Sequence, residues 1–443
     1  MKQPKILIIG GLGDLEMAGN QVFKNTIYYF LKSNFRVAMT TAIPANYPNR
    51  LEPKIIFGEL SKNYQVFRLP KIFQKIFYLI RSIKNLFKRK NYQKNKNSKY
   101  SLKSKDYFAD YTLGAQFIYF LGWFLYQIFG TIQGIFITIK EKSDLFYGFE
   151  IYGARIASIL GFIFRKPVIT RFMGTALDIN QEKKWRRYYL YHILGLKSPS
   201  NAIVIANDGT RGKEVLQKLG VNSNKIHFWM DGLDSKDMEL DQRKITEIKQ
   251  KLNLEHQKVL LCVSKLKIWK RIDRAIYVLH KLINDYGLEN TVLVIVGDGS
   301  EMENLRKIAE NYNINNKIKF VGAVSHSEIA NYFSIADLFL MVSDITNLGN
   351  QLMEALYFSC PIIALKDEST DEILKNGYNS LLVPLDQIKD SLPRMAYNIL
   401  TDKKLTLELS KNAKKTAKNK ILSWRERMEK EIQLINYLIR PKI

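Results

Sequence analysis

Apolar and polar stretches alternate along the 443 residues in a way that predicts strand and helix in turn. Lys5 to Ile9 is a short apolar run, Gln21 to Ser33 has helical spacing, and Arg36 to Thr41 is apolar again. A β-α-β opening of this kind predicts a parallel sheet covered by helices. After a long interruption, strand-like runs return at Asp144–Tyr147, Pro167–Thr170 and Ala202–Ala206. Strands are then expected at Val259–Ser264, Val292–Val296, Ile318–Val321, Phe339–Val342, Ile362–Ile363 and Leu381–Val383. Helical patterns fall between them at Arg274–Asn284, Glu301–Tyr312, Ser327–Ile335 and Gln351–Phe358. IHFWMDGLD (226–234) reads as a strand and turn linking two domains. The expected fold class is α/β, with two Rossmann-like doubly wound domains facing a cleft.

The interruption has its own pattern. From Leu60 to Lys105 there are fourteen Lys or Arg and no Asp or Glu. Within it, KIFQKIFYLIRSIKNLFK (71–88) sets Ile72, Phe73, Ile76, Phe77, Ile80, Ile83 and Phe87 on one helical face. Lys71, Lys75, Arg81, Lys84 and Lys88 lie opposite. This suits a helix lying in the plane of an anionic membrane, and it equally suits a core helix with a solvated basic face. The second half of the run, KRKNYQKNKNSKYSLKSK, is polar and expected to be a loop. Phe117 to Ile139 then runs for 23 residues without a charge, long enough for a bilayer. One crossing would separate strands that must share a sheet, so a helix buried on the sheet or shallowly embedded in lipid is expected.

Composition narrows the partners. The net charge of +26 calls for an anionic one: phosphate groups, an acidic membrane surface or nucleic acid. Nucleic acid is disfavoured, because no recognised nucleic-acid module accompanies the charge. Cys262 and Cys360 sit in apolar settings and predict buried thiols, without a disulfide framework. Five histidines without paired spacing predict no metal site. The start, MKQPKILIIGG, is too short in its apolar run for a signal peptide, so a cytoplasmic protein, or one on the cytoplasmic membrane face, is expected.

The candidate chemistry lies at strand ends. The loop DITNLGN leaves the strand ending at Val342 and enters the helix from Gln351. Loops of this type bind ligands in open parallel sheets. Gly349 and Asn350 place backbone N–H groups there, and Glu354 follows one turn in, within reach of sugar hydroxyls. Lys265 and Lys270 follow one strand, and Gly297 and Gly299 (in GDGS) follow another. Two cations and a helix N-terminus suit a diphosphate. In the first half, GGLGDLEMAGN, with Gly11, Gly13 and Asn20, is not the dinucleotide fingerprint and argues against NAD. That loop, with Glu150 and Arg171 at later strand ends, is expected on an acceptor side.

These motifs resemble a known family. VSKLKIWKRID, VIVGDGSEMENL, IKFVGAVSHSEIANYFSIADLFLMVS, GNQLMEALYFSCPIIAL and DEILKNGYNSLLVP, across about 259–385, are similar to the retaining, nucleotide-sugar-dependent glycosyltransferases of family four, which have the GT-B fold. The resemblance implies an acceptor-side domain at 1–198 with a membrane-facing insertion at about 61–140. A donor domain at 199–421 and a terminal helix at 422–443 that completes the first domain are implied as well. By position, Lys265 and Lys270 would hold the donor diphosphate, Lys265 standing where the family usually has Arg. Glu354 would bind the ribose, and Gly349–Asn350 would face phosphates and sugar. Eight residues before Glu354, where the family has Glu, stands Thr346, leaving the sugar contact to Asp344 or missing. The family's His-Gly pair is Met173-Gly174 here. The implied reaction transfers a hexose, with retention and without a required metal or cofactor, from a nucleoside diphosphate sugar. The acceptor would be lipid-linked or a polysaccharide at the cytoplasmic membrane face. The alternative is a catalytically weakened homologue serving as a sugar-nucleotide- or membrane-binding subunit.

Overall fold

The structure, a computed structural model, describes residues 3–10, 21–41, 53–71, 73, 75, 113–233, 240–344, 348–366 and 370–440. The chain divides into two units, with boundaries at Gly232/Leu233 and Ser423/Trp424. The first comprises β1 (Lys5–Ile9), α1 (Gln21–Lys32), β2 (Arg36–Thr41), α2 (Pro53–Phe57), β3 (Tyr64–Arg68), α3 (Leu113–Glu141), β4 (Leu145–Phe149), α4 (Glu150–Phe164), β5 (Val168–Phe172), α5 (Glu182–Tyr188), α6 (Leu190–Leu196), β6 (Ala202–Ala206), α7 (Gly212–Lys218) and β7 (Ile226–Trp229). The second comprises α8 (Gln242–Leu252), β8 (Lys258–Val263), α9 (Ile272–Asn284), β9 (Thr291–Val296), α10 (Met302–Asn311), β10 (Ile318–Gly322), α11 (His326–Ser334), β11 (Leu338–Met341), α12 (Asn350–Tyr357), β12 (Ile362–Lys366), β13 (Leu381–Pro384), α13 (Ile388–Thr401) and α14 (Lys403–Lys420). The last helix, α15 (Trp424–Ile439), belongs to the first unit.

Each unit is built on an all-parallel sheet. The first has the order β3-β2-β1-β4-β5-β6-β7 and the second β10-β9-β8-β11-β12-β13. In both, the chain works outward to one edge and then restarts beside its first strand, between β1 and β4 or between β8 and β11. Such a switch point leaves a crevice beyond the carboxyl ends of the strands. The strands are apolar without alternation because helices cover both faces: LFYGF in β4 and TVLVIV in β9 are buried at every position. α9 shows the matching helical pattern, with Ile272, Ala275, Ile276, Leu279 and Leu282 on the core. Asp241 and Asp402 open α8 and α14 by accepting backbone N–H bonds from the first turn.

Two expectations need correction. The division expected at 198/199 falls at 232/233, because Ala202–Ala206 and Ile226–Trp229 pair in parallel with the first sheet. The segment read as linker strand is therefore that sheet's edge. Tyr64–Arg68, inside the basic run, is a strand paired with β2. Its short apolar alternation was masked by the flanking cations. Of the amphipathic stretch 71–88 only Lys71, Phe73 and Lys75 are described, and the remainder lies outside the described residues.

α3 lies on the first sheet beside α4. A Cβ at Gly130 would come within 2.5 Å of Ile156, and one at Gly134 within 2.6 Å of Leu160, so the glycines let the two helices touch. Trp123, Tyr126 and Ile137 face inward. Phe117, Leu121, Phe124, Ile128, Ile132, Phe136 and Ile139 face out, with Phe117 66% and Phe136 69% exposed. α3 is long and apolar enough to cross a membrane. The strands before and after it share one sheet, however, which a crossing would tear apart.

The other face of the sheet is held by buried charge. Arg171, from β5, donates Nη1 to Thr26 Oγ1 at 2.7 Å and to Glu431 Oε2 at 3.3 Å, and Nη2 to Asp231 Oδ1 at 3.1 Å. Glu431, on α15, also accepts from Arg427 Nη1 at 2.9 Å and from the Tyr147 hydroxyl. Burial works to raise the Glu431 carboxyl, yet Arg171 and Arg427 hold it below its ordinary value. Removing one partner of a buried ion pair strands the other. Glu431→Ala should therefore lower stability by about 3–5 kcal/mol in urea unfolding.

Candidate functional site

At the switch point of the second unit three loops meet. The middle one, Ser264–Arg271, follows β8. Leu266 N–H donates to Asp298 O at 2.9 Å, and Glu301 N–H donates to Leu266 O at 3.1 Å, binding it to the loop after β9. Asp344 N–H donates to Trp269 O at 2.9 Å, binding it to the loop after β11. Gly297 has φ +138°, and a Cβ there would lie 1.9 Å from Ser264 O; at Gly299 one would lie 2.3 Å from Leu266 O. Both glycines are required by backbone packing between these loops. The phosphate role read for them from sequence is thus not needed to explain them. Gly349 has an ordinary φ of −76° as the residue before α12, so left-handed freedom is not what selects it.

The lysines differ sharply. Lys265 is exposed. Lys270 is 7% exposed, its Nζ lies 4.1 Å from the Trp269 ring centroid, and among the described residues no carboxylate pairs with it. Burial pulls its amine down to about 8. An unpaired cation in that position gains from an incoming anion. Asp344, read from sequence as a possible sugar contact, is turned inward instead. Its Oδ1 takes Arg274 Nη2 at 2.5 Å and Arg271 Nη1 at 3.2 Å, and Arg274 Nη1 also donates to Val342 O at 2.7 Å. Arg271 holds this position with φ +52°. Sequence reasoning missed both arginines; their spacing of three, just after a strand, is the signal that could have found them.

Glu354 sits on α12 and is 2% exposed. Its Oε1 lies 2.9 Å from Nε2 of His326, the first residue of α11. Asn350 opens α12. Thr346, with the rest of 345–347, lies outside the described residues, as do Gly11, Gly13 and Asn20. The structure thus joins Lys265, Lys270, Gly297, Gly299 and Asp344 through bonded loops, and carries Gly349, Asn350 and Glu354 on the helix that continues from β11.

In the first unit, Arg171 is committed to the buried network described above and is not available to an acceptor. Glu150 stands at the junction of β4 and α4 with φ +59°, and its Oε1 accepts Met173 N–H at 2.6 Å. Asp208, not singled out from sequence, takes Thr210 N–H at 3.0 Å and Thr210 Oγ1 at 2.6 Å. A Cβ at Gly174 would come within 2.1 Å of Asp208 Oδ2. Burial pushes Glu150 up to about 7, against the Met173 hydrogen bond and with help from Asp208. Burial likewise raises Asp208 to about 6. Glu150 therefore takes up a proton on folding between its ordinary 4.5 and about 7, so its contribution makes stability fall as pH rises through that window. Glu150→Gln should flatten that part of the slope in urea melts across the range.

With this geometry in hand, comparison with known proteins is informative. Residues 244–416 match the family model for glycosyl transferases group 1. An uncharacterized glycosyltransferase of Methanocaldococcus jannaschii is 26% identical over 293 residues, 64% of this chain and 72% of that one. The alpha-monoglucosyldiacylglycerol synthase of Streptococcus pneumoniae is 28% identical over 127 residues, and only 28% of its length is spanned. Among solved structures, Anabaena HepE in complex with UDP superposes with a TM-score of 0.68 at 14% identity, over 98% of this chain and 100% of that one. The two parallel-sheet domains and these neighbours identify the architecture as GT-B.

Proposed function

We propose, for a chain that belongs to the glycosyl transferases group 1, that it moves a hexose from a nucleoside diphosphate sugar to a lipid-linked or polysaccharide acceptor, with retention. The observation that carries this reading is Lys270, a buried cation with no carboxylate partner among the described residues, at the switch point of the second sheet. Lys265 and Lys270, with backbone N–H groups at the Gly349–Asn350 turn, neutralise the charge that develops on the leaving diphosphate. Glu354 accepts from the ribose. A solved neighbour of the same architecture holds UDP, which supports a uridine or related nucleotide as donor. Removing one such electrostatic group typically lowers turnover about 10²–10³-fold. Lys270→Ala and Glu354→Ala should each do so with melting temperature unchanged. The assay is a panel of UDP- and GDP-sugars against membrane extract, and near-normal turnover in both variants rejects the site. The binding-subunit reading is favoured by one observation, the capture of Asp344 by Arg271 and Arg274 where a sugar contact was expected. Wild-type nucleotide binding without turnover across the panel would select it.

The first unit supports an acceptor presented at a membrane, on the inner face of the cell membrane. The outward stripe of α3 is apolar from Phe117 to Ile139. On the same side of the sheet α4 ends in exposed Phe162 and Ile163, followed by Arg165 and Lys166. An apolar face edged by cations fits the boundary of an anionic leaflet. The wild-type chain should float with phosphatidylglycerol vesicles. Replacing Phe117, Phe124, Phe136 and Phe162 together by Ser should leave it in the soluble fraction while the fold, read by circular dichroism, persists. Flotation of the variant at the wild-type level would reject the surface.

A further inference from the structure

We propose that the second unit carries a groove for an anionic membrane lipid, with an acyl chain along its floor and the headgroup phosphate on Lys414 and Lys418. The groove is separate from the donor site and from the apolar stripe on α3.

The groove has a volume of about 630 Å³ and lies between the C-terminal ends of α12 and α14 and the segments that follow them. Every described residue that lines it belongs to the second unit. Its floor rests on a small apolar cluster apart from the main core. Leu233 and Met353 are buried there, and Phe358 and Ile421 pack against them while remaining only half-buried. The rim is apolar and open, with Tyr357 42% and Leu240 43% exposed. An apolar surface left open in this way gains from being covered. Among the described lining residues only Lys414 and Lys418 are charged. Both are exposed, and among the described residues no carboxylate pairs with either. They stand four residues apart on α14, and Lys411 and Lys415 are exposed on the same helix. Cations at that spacing repel one another, so an anion laid between them relieves the repulsion. The groove thus complements a molecule that is apolar along its body and anionic at one end, which is the make-up of a lipid with an acidic headgroup. A peptide would instead bring backbone N–H and C=O groups onto a floor of side chains that offer them no partner.

The test is photolabelling of the full chain in mixed vesicles. The probes are phosphatidylglycerol and phosphatidylcholine that each carry a diazirine in the acyl chain, and the labelled peptides are identified by mass spectrometry. Peptides that contain Phe358 or Ile421 should take the label, at least about tenfold more from phosphatidylglycerol, the scale of two cations beside an anionic headgroup. Lys414→Gln combined with Lys418→Gln should remove that preference. Tyr357→Asp sets a charge on the apolar rim and should lower labelling of the same peptides by both probes severalfold. The three substituted side chains are exposed, and circular dichroism checks that the fold persists. Label confined to peptides of α3, or equal labelling of the groove peptides by the two probes, overturns the proposal. Glycerol phosphate that displaces the label as well as phosphatidylglycerol does also overturns it, since the acyl chain would then contribute nothing. A wild type that sediments as a dimer, and as a monomer in Tyr357→Asp, gives the groove to a second copy of the chain and overturns it too.

Discussion

A charge left unpaired inside either unit is costly, and the placement of the titratable groups follows from which of them are given partners. In the second unit, Arg274 and Arg271 close on Asp344, while Asp344 N–H closes on Trp269 O. These bonds tie the loop after β8 to the loop after β11 across the switch point. Lys270 lies between the tied residues and is the one buried cation there given no described carboxylate. The acidic group goes to the arginines, and Lys270 keeps no described carboxylate. Were the assignment reversed, with Asp344 paired to Lys270, the site would be electrically closed.

The same rule places the first unit's residues. Arg171 occupies a strand end, where an acceptor contact would be expected from topology alone, yet Glu431 and Asp231 neutralise it from two other parts of the chain. Among the described residues no cation forms an ion pair with Glu150 or Asp208, and burial raises both. The strand ends of the first unit thus carry carboxyls held closer to neutrality than usual, whereas those of the second carry cations. Met173, where the resembled family has histidine, contributes its backbone N–H to Glu150 and no side-chain charge.

Strand and helix order was legible because parallel strands buried on both faces are written as unbroken apolar runs. In the second sheet β9 and β11 are such runs throughout, whereas β10 is interrupted by Lys319 and only partly buried. β3 was not legible: Tyr64–Arg68 alternates over only five residues and ends in a cation within a basic stretch. The role of β7 was also hidden. Its residues, only partly buried, read equally well as a connector, and only pairing to β6 decides the matter. Of the candidate site, the lysines, Glu354 and the glycine loops could be read from position after a strand. Their partners could not. His326 lies 28 residues before Glu354 and Arg274 lies 70 before Asp344, so only the fold brings them together.

The second unit begins and ends beside itself: Leu233 N–H donates to Leu422 O, and Leu233 bridges Ser423. Its residues 233–423 lie between stretches of chain that belong to the first unit, the later of which forms α15. During synthesis from the N-terminus, the second unit can complete its core while the first unit still lacks the glutamate that neutralises Arg171. The core of the first unit therefore closes only once α15 is available to it. A chain stopped short of residue 424 would carry a finished second unit on an unfinished first.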